Sequence, residues 1–142
     1  TVRELEQVKQ LVSSFGLRRS STFKLYMRCL TPSNVILIDE FLRAGIDGVS
    51  IDVDGIAALI MGADPANPDI GHVYSQLSPA VVWAVERVVE SCVKKHILVS
   101  ASGTMLAYNP DLMASLVKWG ADSVCVPCDV IDEARNIVYK TE

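Results

Sequence analysis

Three short constellations in this sequence carry side chains able to do chemistry: Asp52-Val53-Asp54, Ser102-Gly103 and Cys125-Val126-Pro127-Cys128. Asp52 and Asp54 flank one apolar residue at the end of a strand-like run. Carboxylates at i and i+2 of a strand share a face, so this pair could hold a hard divalent cation or a substrate hydroxyl. Asp54-Gly55 reads equally well as a polar turn closing the strand. Ser102 stands where a strand gives way to a helix, the place for a nucleophile on a sharp turn. No Gly-x-Ser-x-Gly surrounds it, and His72 and His96 are the only imidazoles that could serve it as base. Cys-x-Pro-Cys between a strand and a helix is a setting in which a helix N-terminus lowers a thiol pKa for redox work. The order of elements around it is not that of a dithiol oxidoreductase, and a buried Cys125 beside a partly exposed Cys128 is the plainer expectation. One Cys pair also falls short of the four ligands of a structural zinc site.

The elements that must position these residues follow from periodicity. Val2, Leu5, Val8, Leu11 and Val12 recur at helical spacing, with Gly16 at the exit. Residues 23–30 read as a first strand. Pro32 then opens a helix over 33–44 that Gly45 ends. A second strand over 48–52 leads to a short helix over 56–62. Residues 63–78, with Pro65, Pro68 and Gly71, read as a long loop. Pro79 opens the strongest helix, 79–95, whose Val81, Val82, Val85, Val88, Val89 and Cys92 make a broad apolar face. His96 falls at its C-terminus, where the dipole favours it. A third strand over 97–101, a helix from Asn109-Pro110 to Trp119 capped by Gly120, a fourth strand over 123–126 and a last helix from Asp129 complete the pattern. Trp83 and Trp119 fall on helices as packing residues, and no repeat at a fixed period is visible. Helices alternating with short strands and no hairpin signal predict a parallel α/β sheet of about four strands. That is half of a (β/α)8 barrel, and 142 residues do not fit a closed barrel of eight strands.

Composition narrows the function. Half of the residues are hydrophobic and 21% are charged, an ordinary globular balance. A net charge of −4, with Arg18-Arg19 and Lys94-Lys95 as solvated helix ends, argues against a nucleic-acid surface. No apolar run is long enough to cross a bilayer and no secretory pattern opens the chain, so no membrane partner is expected. Four Cys in so apolar a chain fit reduced thiols in the cytoplasm. Thr1 in place of a Met fits a domain excised from something longer.

Three stretches resemble the phosphoenolpyruvate/pyruvate-binding barrel shared by phosphoenolpyruvate synthase, pyruvate phosphate dikinase and the first enzyme of the sugar phosphotransferase system. The family pattern Gly-x-Met-x-Glu-x-Pro-Ser/Ala-x meets Tyr26-Met27-Arg28-Cys29-Leu30-Thr31-Pro32-Ser33-Asn34. Its Phe-Ser-Ile-Gly-Thr-Asn-Asp-Leu-Thr-Gln…Gly-x-Asp aligns without gaps to Val49-Ser50-Ile51-Asp52-Val53-Asp54-Gly55-Ile56-Ala57-Ala58…Gly62-Ala63-Asp64. Its His-Leu-Tyr-x-x-x-His/Ser-Pro-Ala-Val aligns to His72-Val73-Tyr74-Ser75-Gln76-Leu77-Ser78-Pro79-Ala80-Val81. The match spans the chain and corresponds to the second half of the family's barrel.

The resemblance implies a Mg²⁺-dependent phosphotransferase acting on phosphoenolpyruvate or pyruvate, and also where this chain departs from it. The family's first metal ligand, a Glu, falls on Leu30, and its second, an Asp, on Gly55. The preceding Asn falls on Asp54, leaving a carboxylate one position away as a shifted metal ligand. The motif Gly-x-Cys-Gly-Glu falls on Ser100-Ala101-Ser102-Gly103-Thr104, so the proton-donating Cys is Ser102. By motif position Asp52, Val53 and Gly103 would bind substrate, while His72 and Tyr74 would hold a loop to the barrel. A methyl-tipped side chain cannot coordinate Mg²⁺, and a Ser hydroxyl is a poor proton donor at neutral pH. Metal, charge stabilisation and proton transfer are lost together, each being on the order of several kcal/mol of barrier. The expectation is a catalytically degenerate scaffold or subunit-contact domain that needs no cofactor, with Mg²⁺ only if the family activity is retained. Two bare strand edges and an apolar sheet face would need cover, from a homo-oligomer or from the missing half of the barrel. A working phosphotransferase using Asp52 and Asp54, and a redox module on Cys125 and Cys128, are the competing readings.

Overall fold

A computed structural model of the chain describes residues 1–64, 67 and 77–142. Most of the expected long loop, and with it His72 and Tyr74, lies outside the described residues. In chain order the elements are α1 (Val2–Ser14), β1 (Tyr26–Cys29), α2 (Pro32–Ile36), α3 (Ile38–Arg43), β2 (Gly48–Asp52), α4 (Val53–Met61), α5 (Pro79–Lys94), β3 (Leu98–Ser102), α6 (Met105–Tyr108), α7 (Pro110–Trp119), β4 (Ser123–Cys125), a 3-10 turn (Cys128–Val130) and α8 (Ile131–Thr141). The four strands form one sheet in the order β1-β2-β3-β4, and every pair is parallel. Short parallel strands cannot turn back on themselves, so each is followed by a crossover that lays helix on one face of the sheet. This is the α/β half-barrel expected from the sequence.

One face of the sheet makes the core. Cys29, Val49, Ile51, Val99 and Ala101 are buried, and helices α4, α5 and α7 close over them with Ile56, Val81, Val85, Val88, Leu112 and Leu116. The opposite face, not covered by described helices, is mixed, with one apolar row and two largely polar ones, which corrects the expectation of a bare apolar face. Its rows run Tyr26, Gly48, Leu98; then Arg28, Ser50, Ser100, Ser123; then Asp52, Ser102, Cys125. The Tyr26 ring lies flat over Gly48, where a Cβ would collide with it, so glycine is what lets the aromatic ring cover the strand.

The register is pinned at the strand starts by a device that occurs twice. Asp47, just before β2, donates its N–H to Leu25 O at 2.8 Å and accepts Leu25 N–H on Oδ2 at 2.7 Å. Asp122, just before β4, does the same with Val99, at 2.8 and 2.7 Å. Each Asp is preceded by a left-handed glycine that ends the helix before it, Gly45 (φ 85°) and Gly120 (φ 90°). Gly45-Ile46-Asp47-Gly48-Val49-Ser50 and Gly120-Ala121-Asp122-Ser123-Val124-Cys125 are therefore one structural unit used twice. Among the described residues the unit occurs twice, two strands apart, too few copies to show a period in the sequence. At the end of α5 the same left-handed place is taken by His96 (φ 55°), with Ile97 N–H bonded to Cys92 O.

Several boundaries differ from expectation for local reasons. β1 begins at Tyr26 rather than 23, because Ser20 and Phe23 are tied into a turn through Ser20 N–H to Phe23 O. The helix expected over 33–44 is broken at Leu37 (φ −97°, ψ 16°) into α2 and α3. The one expected over 56–62 starts three residues earlier, since the Asp52 carboxylate caps it. Arg19 and Lys95 are not solvated ends: Arg19 forks onto Asp47 at 2.8 and 2.5 Å, and Lys95 meets Asp39. Trp119 packs on the core, but Trp83 is 59% exposed. Among the described residues, no helix is long and apolar enough to cross a membrane.

The Arg19 guanidinium and the Leu25 amide hold the Asp47 carboxyl down to about 2, below its ordinary 3.8. As pH falls, the unfolded chain takes up this proton first. The stabilisation is complete above about pH 4 and lost by about pH 2. Urea unfolding across that window should show a drop in stability that Asp47→Asn largely removes. An unchanged acid limb in the variant would show that the clamp contributes nothing.

Candidate functional site

Because all strands are parallel and in register, their C-terminal ends form one rim. Asp52 stands beside Ser102, and Ser102 beside Cys125. Cys29 pairs with Ile51, so the next residue, Leu30, comes level with Asp52. This is the end of the sheet where parallel α/β folds place their ligands. The structure thus gathers Asp52, Asp54, Ser102 and Gly103 at one place and gives each polar group a specific partner.

Asp52 is the last residue of β2 and the N-cap of α4. Its Oδ1 accepts the Gly55 N–H at 2.9 Å and its Oδ2 takes Arg28 Nη2. Asp54 lies in the first turn of α4, not on the strand, so the two carboxylates do not share a strand face as their spacing implied. Asp54 instead reaches across to the start of the segment after β3. Its Oδ2 accepts the Thr104 N–H at 2.7 Å and the Thr104 hydroxyl at 2.8 Å, and its Oδ1 accepts the Met105 N–H at 2.9 Å. Three donors on one carboxylate staple α4 to the turn before α6. Gly103 (φ 149°) makes room for this, since a Cβ there would sit 2.8 Å from Asp54 Oδ1.

The remaining rim residues are equally committed. Ser102 Oγ donates to Ile51 O at 3.2 Å. Its candidate base His96 precedes β3, at the opposite end of that strand, and His72 falls outside the described residues. Val53 is wholly buried in the core, so its side chain does not face the rim. Leu30 and Gly55, the two places where the family resemblance puts metal ligands, touch: a Cβ on residue 55 would collide with Leu30 Cδ1. The leucine methyl fills the space that a side chain at 55 would need. Among the described residues no group of three or more His, Cys, Asp or Glu is placed to hold a metal ion.

Cys125 and Cys128 are both exposed free thiols, which corrects the expectation of a buried Cys125. Pro127 is extended (φ −56°, ψ 149°), and a residue before proline is held extended as well. Three extended steps separate the two Cα atoms by about 9–10 Å, beyond the reach of a disulfide. This geometry does not supply the redox centre the motif implied. Burial pushes the other two thiols, Cys29 and Cys92, up to about 12.

What the sequence did not reveal is the pairing across elements. Asp54 and Thr104 are 50 residues apart, and Arg28 and Asp52 are 24 apart. Alternation could have placed Arg28 on the face opposite Cys29, but nothing local told which acid it meets.

A half-barrel of parallel βα units with a polar rim at the strand ends defines the class of domain. The model of the PEP-binding domain of PEP-utilising (phosphoenolpyruvate-utilising) enzymes matches residues 1–142, and the chain belongs to that family. It is similar to a probable phosphoenolpyruvate synthase of Methanocaldococcus jannaschii, 29% identical over 139 residues that make 98% of this chain and 12% of that protein. A phosphoenolpyruvate synthase of Aeropyrum pernix is 30% identical over 144 residues, 100% of this chain and 17% of its own length. One from Pseudomonas aeruginosa is 32% identical over 134 residues, 93% of this chain and 17% of its own. The chain spans less than a fifth of each of these relatives.

The thiol environments give a direct check of the packing. Iodoacetamide at neutral pH should alkylate Cys125 and Cys128 quickly and leave Cys29 and Cys92 untouched until the chain is unfolded. Rapid labelling of all four in the folded protein would contradict the core described above.

Proposed function

We propose that this phosphoenolpyruvate-synthase-like domain no longer performs metal-dependent phosphoryl chemistry and serves as a scaffold and contact half-barrel within a larger assembly in the reducing cytoplasm. The observation that carries this reading is the contact between Leu30 and Gly55. Two neighbouring positions of the rim lack oxygen donors together, and the methyl group of one occupies the space of the other. The nearby carboxylates do not replace them. Asp54 already accepts three hydrogen bonds, and Asp52 is divided between a helix cap and Arg28. The described residues of the rim therefore do not fit Mg²⁺. Ser102, bonded to a backbone carbonyl and distant from His96, is not equipped to deliver a proton.

Calorimetric titration of Mg²⁺, with and without oxalate as a mimic of the pyruvate enolate, tests this. No saturable heat is expected from the wild-type chain, whereas Leu30→Glu combined with Gly55→Asp should gain binding that neither single variant shows. Saturable binding by the wild-type chain would instead restore the working phosphotransferase, with Asp52 and Asp54 as ligands and phosphoenolpyruvate or pyruvate as substrate.

The partner we propose is the other half of a barrel rather than a second copy that closes the sheet. α1 precedes β1 and α8 follows β4, so each open edge already brings a helix. Two copies closing into eight strands would crowd two helices into each junction, where a (β/α)8 barrel has one. A complementary segment of four strands and three crossovers fills the gap without excess. α1, in which no residue is buried and whose C-cap Phe15 is left largely exposed, is consistent with a helix awaiting cover. Light scattering coupled to gel filtration should show the chain alone forming concentration-dependent assemblies of no fixed size. A discrete dimer would favour a homo-oligomer, and a stable monomer at micromolar concentration would mean that the edges need no partner.

A further inference from the structure

A groove of about 230 Å³ lies at the strand-start end of the domain, between the second half of α1 and the connection that leads into β1. All of its lining residues belong to this one stretch of chain, so no residue of the rim takes part. Val12, Leu17, Phe23 and Leu25 give it apolar walls, and Lys9, Ser13, Arg18 and Arg19 are its polar members. Two of the three cations are already engaged. Lys9 Nζ donates to Ala44 O, and Arg19 places its donors on Asp47 and on Gly45 O. Arg18 is exposed and has no hydrogen bond or ion pair among the described residues, and the same holds for the Ser13 hydroxyl. Among the described residues no carboxylate lines the groove. The charge is uneven along the chain as well: residues 1–28 carry six Arg and Lys against two Glu, although the net charge is −4.

We infer that this groove binds a small amphipathic carboxylate, an aryl or alkyl chain ending in an acid. The apolar body lies among Val12, Leu17, Phe23 and Leu25, where it takes apolar surface out of water. The carboxylate meets the Arg18 fork, whose planar donors match its two oxygens, with Ser13 as a further hydroxyl donor. Charge selects the sign of the ligand: three cations and no carboxylate at the walls disfavour an amine and favour an acid. Volume selects its size. The groove is smaller than the roughly 300 Å³ at which drug-sized pockets begin, so a single ring or a short chain fills it. Such a ligand also gives α1, which buries none of its own residues, a second apolar contact with the segment entering β1. An anion without an apolar body is not retained, because Arg18 is exposed and a lone exposed ion pair contributes little in salt. The inference does not depend on the proposed function, since groove and rim stand at opposite ends of the strands.

The test is a methyl and arginine side-chain NMR titration of the 142-residue chain with phenylbutyrate at constant ionic strength, beside phenylbutanol and acetate as the two halves of the ligand. Phenylbutyrate should give saturable shifts at residues 17, 18, 23 and 25. Acetate should give none, and phenylbutanol should bind at least about fivefold more weakly for want of the charge. Shortening the acid to phenylacetate should lose about threefold for each methylene removed. Arg18→Gln should weaken phenylbutyrate to the level of phenylbutanol. Ser13→Phe, which fills the groove from an exposed position, should abolish binding. Both positions are exposed, so the variants should keep dispersed spectra, which the same experiment reports. No saturable shift with phenylbutyrate, equal binding of phenylbutanol, saturable binding of acetate, or binding that survives both substitutions would overturn the site. Shifts centred on the rim in place of residues 17–25 would do the same. Because no rim residue lines the groove, a failure here leaves the metal titration above unaffected.

Discussion

Parallel register is the constraint on which the rest of this domain depends. Four strands running the same way bring all their ends to one rim, and they do so only if neighbouring strands start level. Asp47 and Asp122 set that level by bonding, through both N–H and carboxylate, to Leu25 just before β1 and to Val99 in β3. A shift of one residue would turn Val49 and Ile51 out of the core and bring Ser50 in. The same register that buries the apolar row therefore also defines the polar rows, both at the rim and on the open face.

At the rim, polarity and availability part company. Asp52, Asp54, Ser102 and Thr104 are grouped as an active site would group them, yet each is engaged by the backbone or by a neighbour. Asp54 shows this most clearly: a carboxylate that joins two crossovers through three donors has its oxygens used in holding the scaffold together. The open face one row below has the reverse character. Among the described residues its Arg and Ser side chains keep unused donors, because the strands are held by their backbone ladder and by the helices on the other side.

The strands, their order and most helices were legible in the sequence because apolar periodicity, Pro at helix starts and Gly at helix ends are local signals. β2 matched to the residue. The rim was legible only as a set of positions. Asp52 and Asp54 looked like a strand pair because spacing alone cannot show that a helix begins between them; the cap formed by Asp52 on Gly55 decides that. The split of one expected helix at Leu37 and the exposure of Cys125 depend on tertiary packing, which no local pattern encodes. The commitment of Asp54 to Thr104, and the fit of Leu30 over Gly55, join residues far apart in sequence and became visible only in three dimensions.

The two aspartate clamps carry a consequence for how the chain comes together in time. Each ties residues only 22 or 23 apart, Leu25 to Asp47 and Val99 to Asp122. Loop-closure entropy grows slowly with length, so the two closures face nearly the same penalty, and neither requires the other. Each strand–helix–strand segment can lock its own register as soon as its last few residues leave the ribosome, before the next segment exists. A parallel sheet built from long-range pairings is ordinarily slow to form. Here two of the three strand joins can close as short, separate steps in the direction of synthesis.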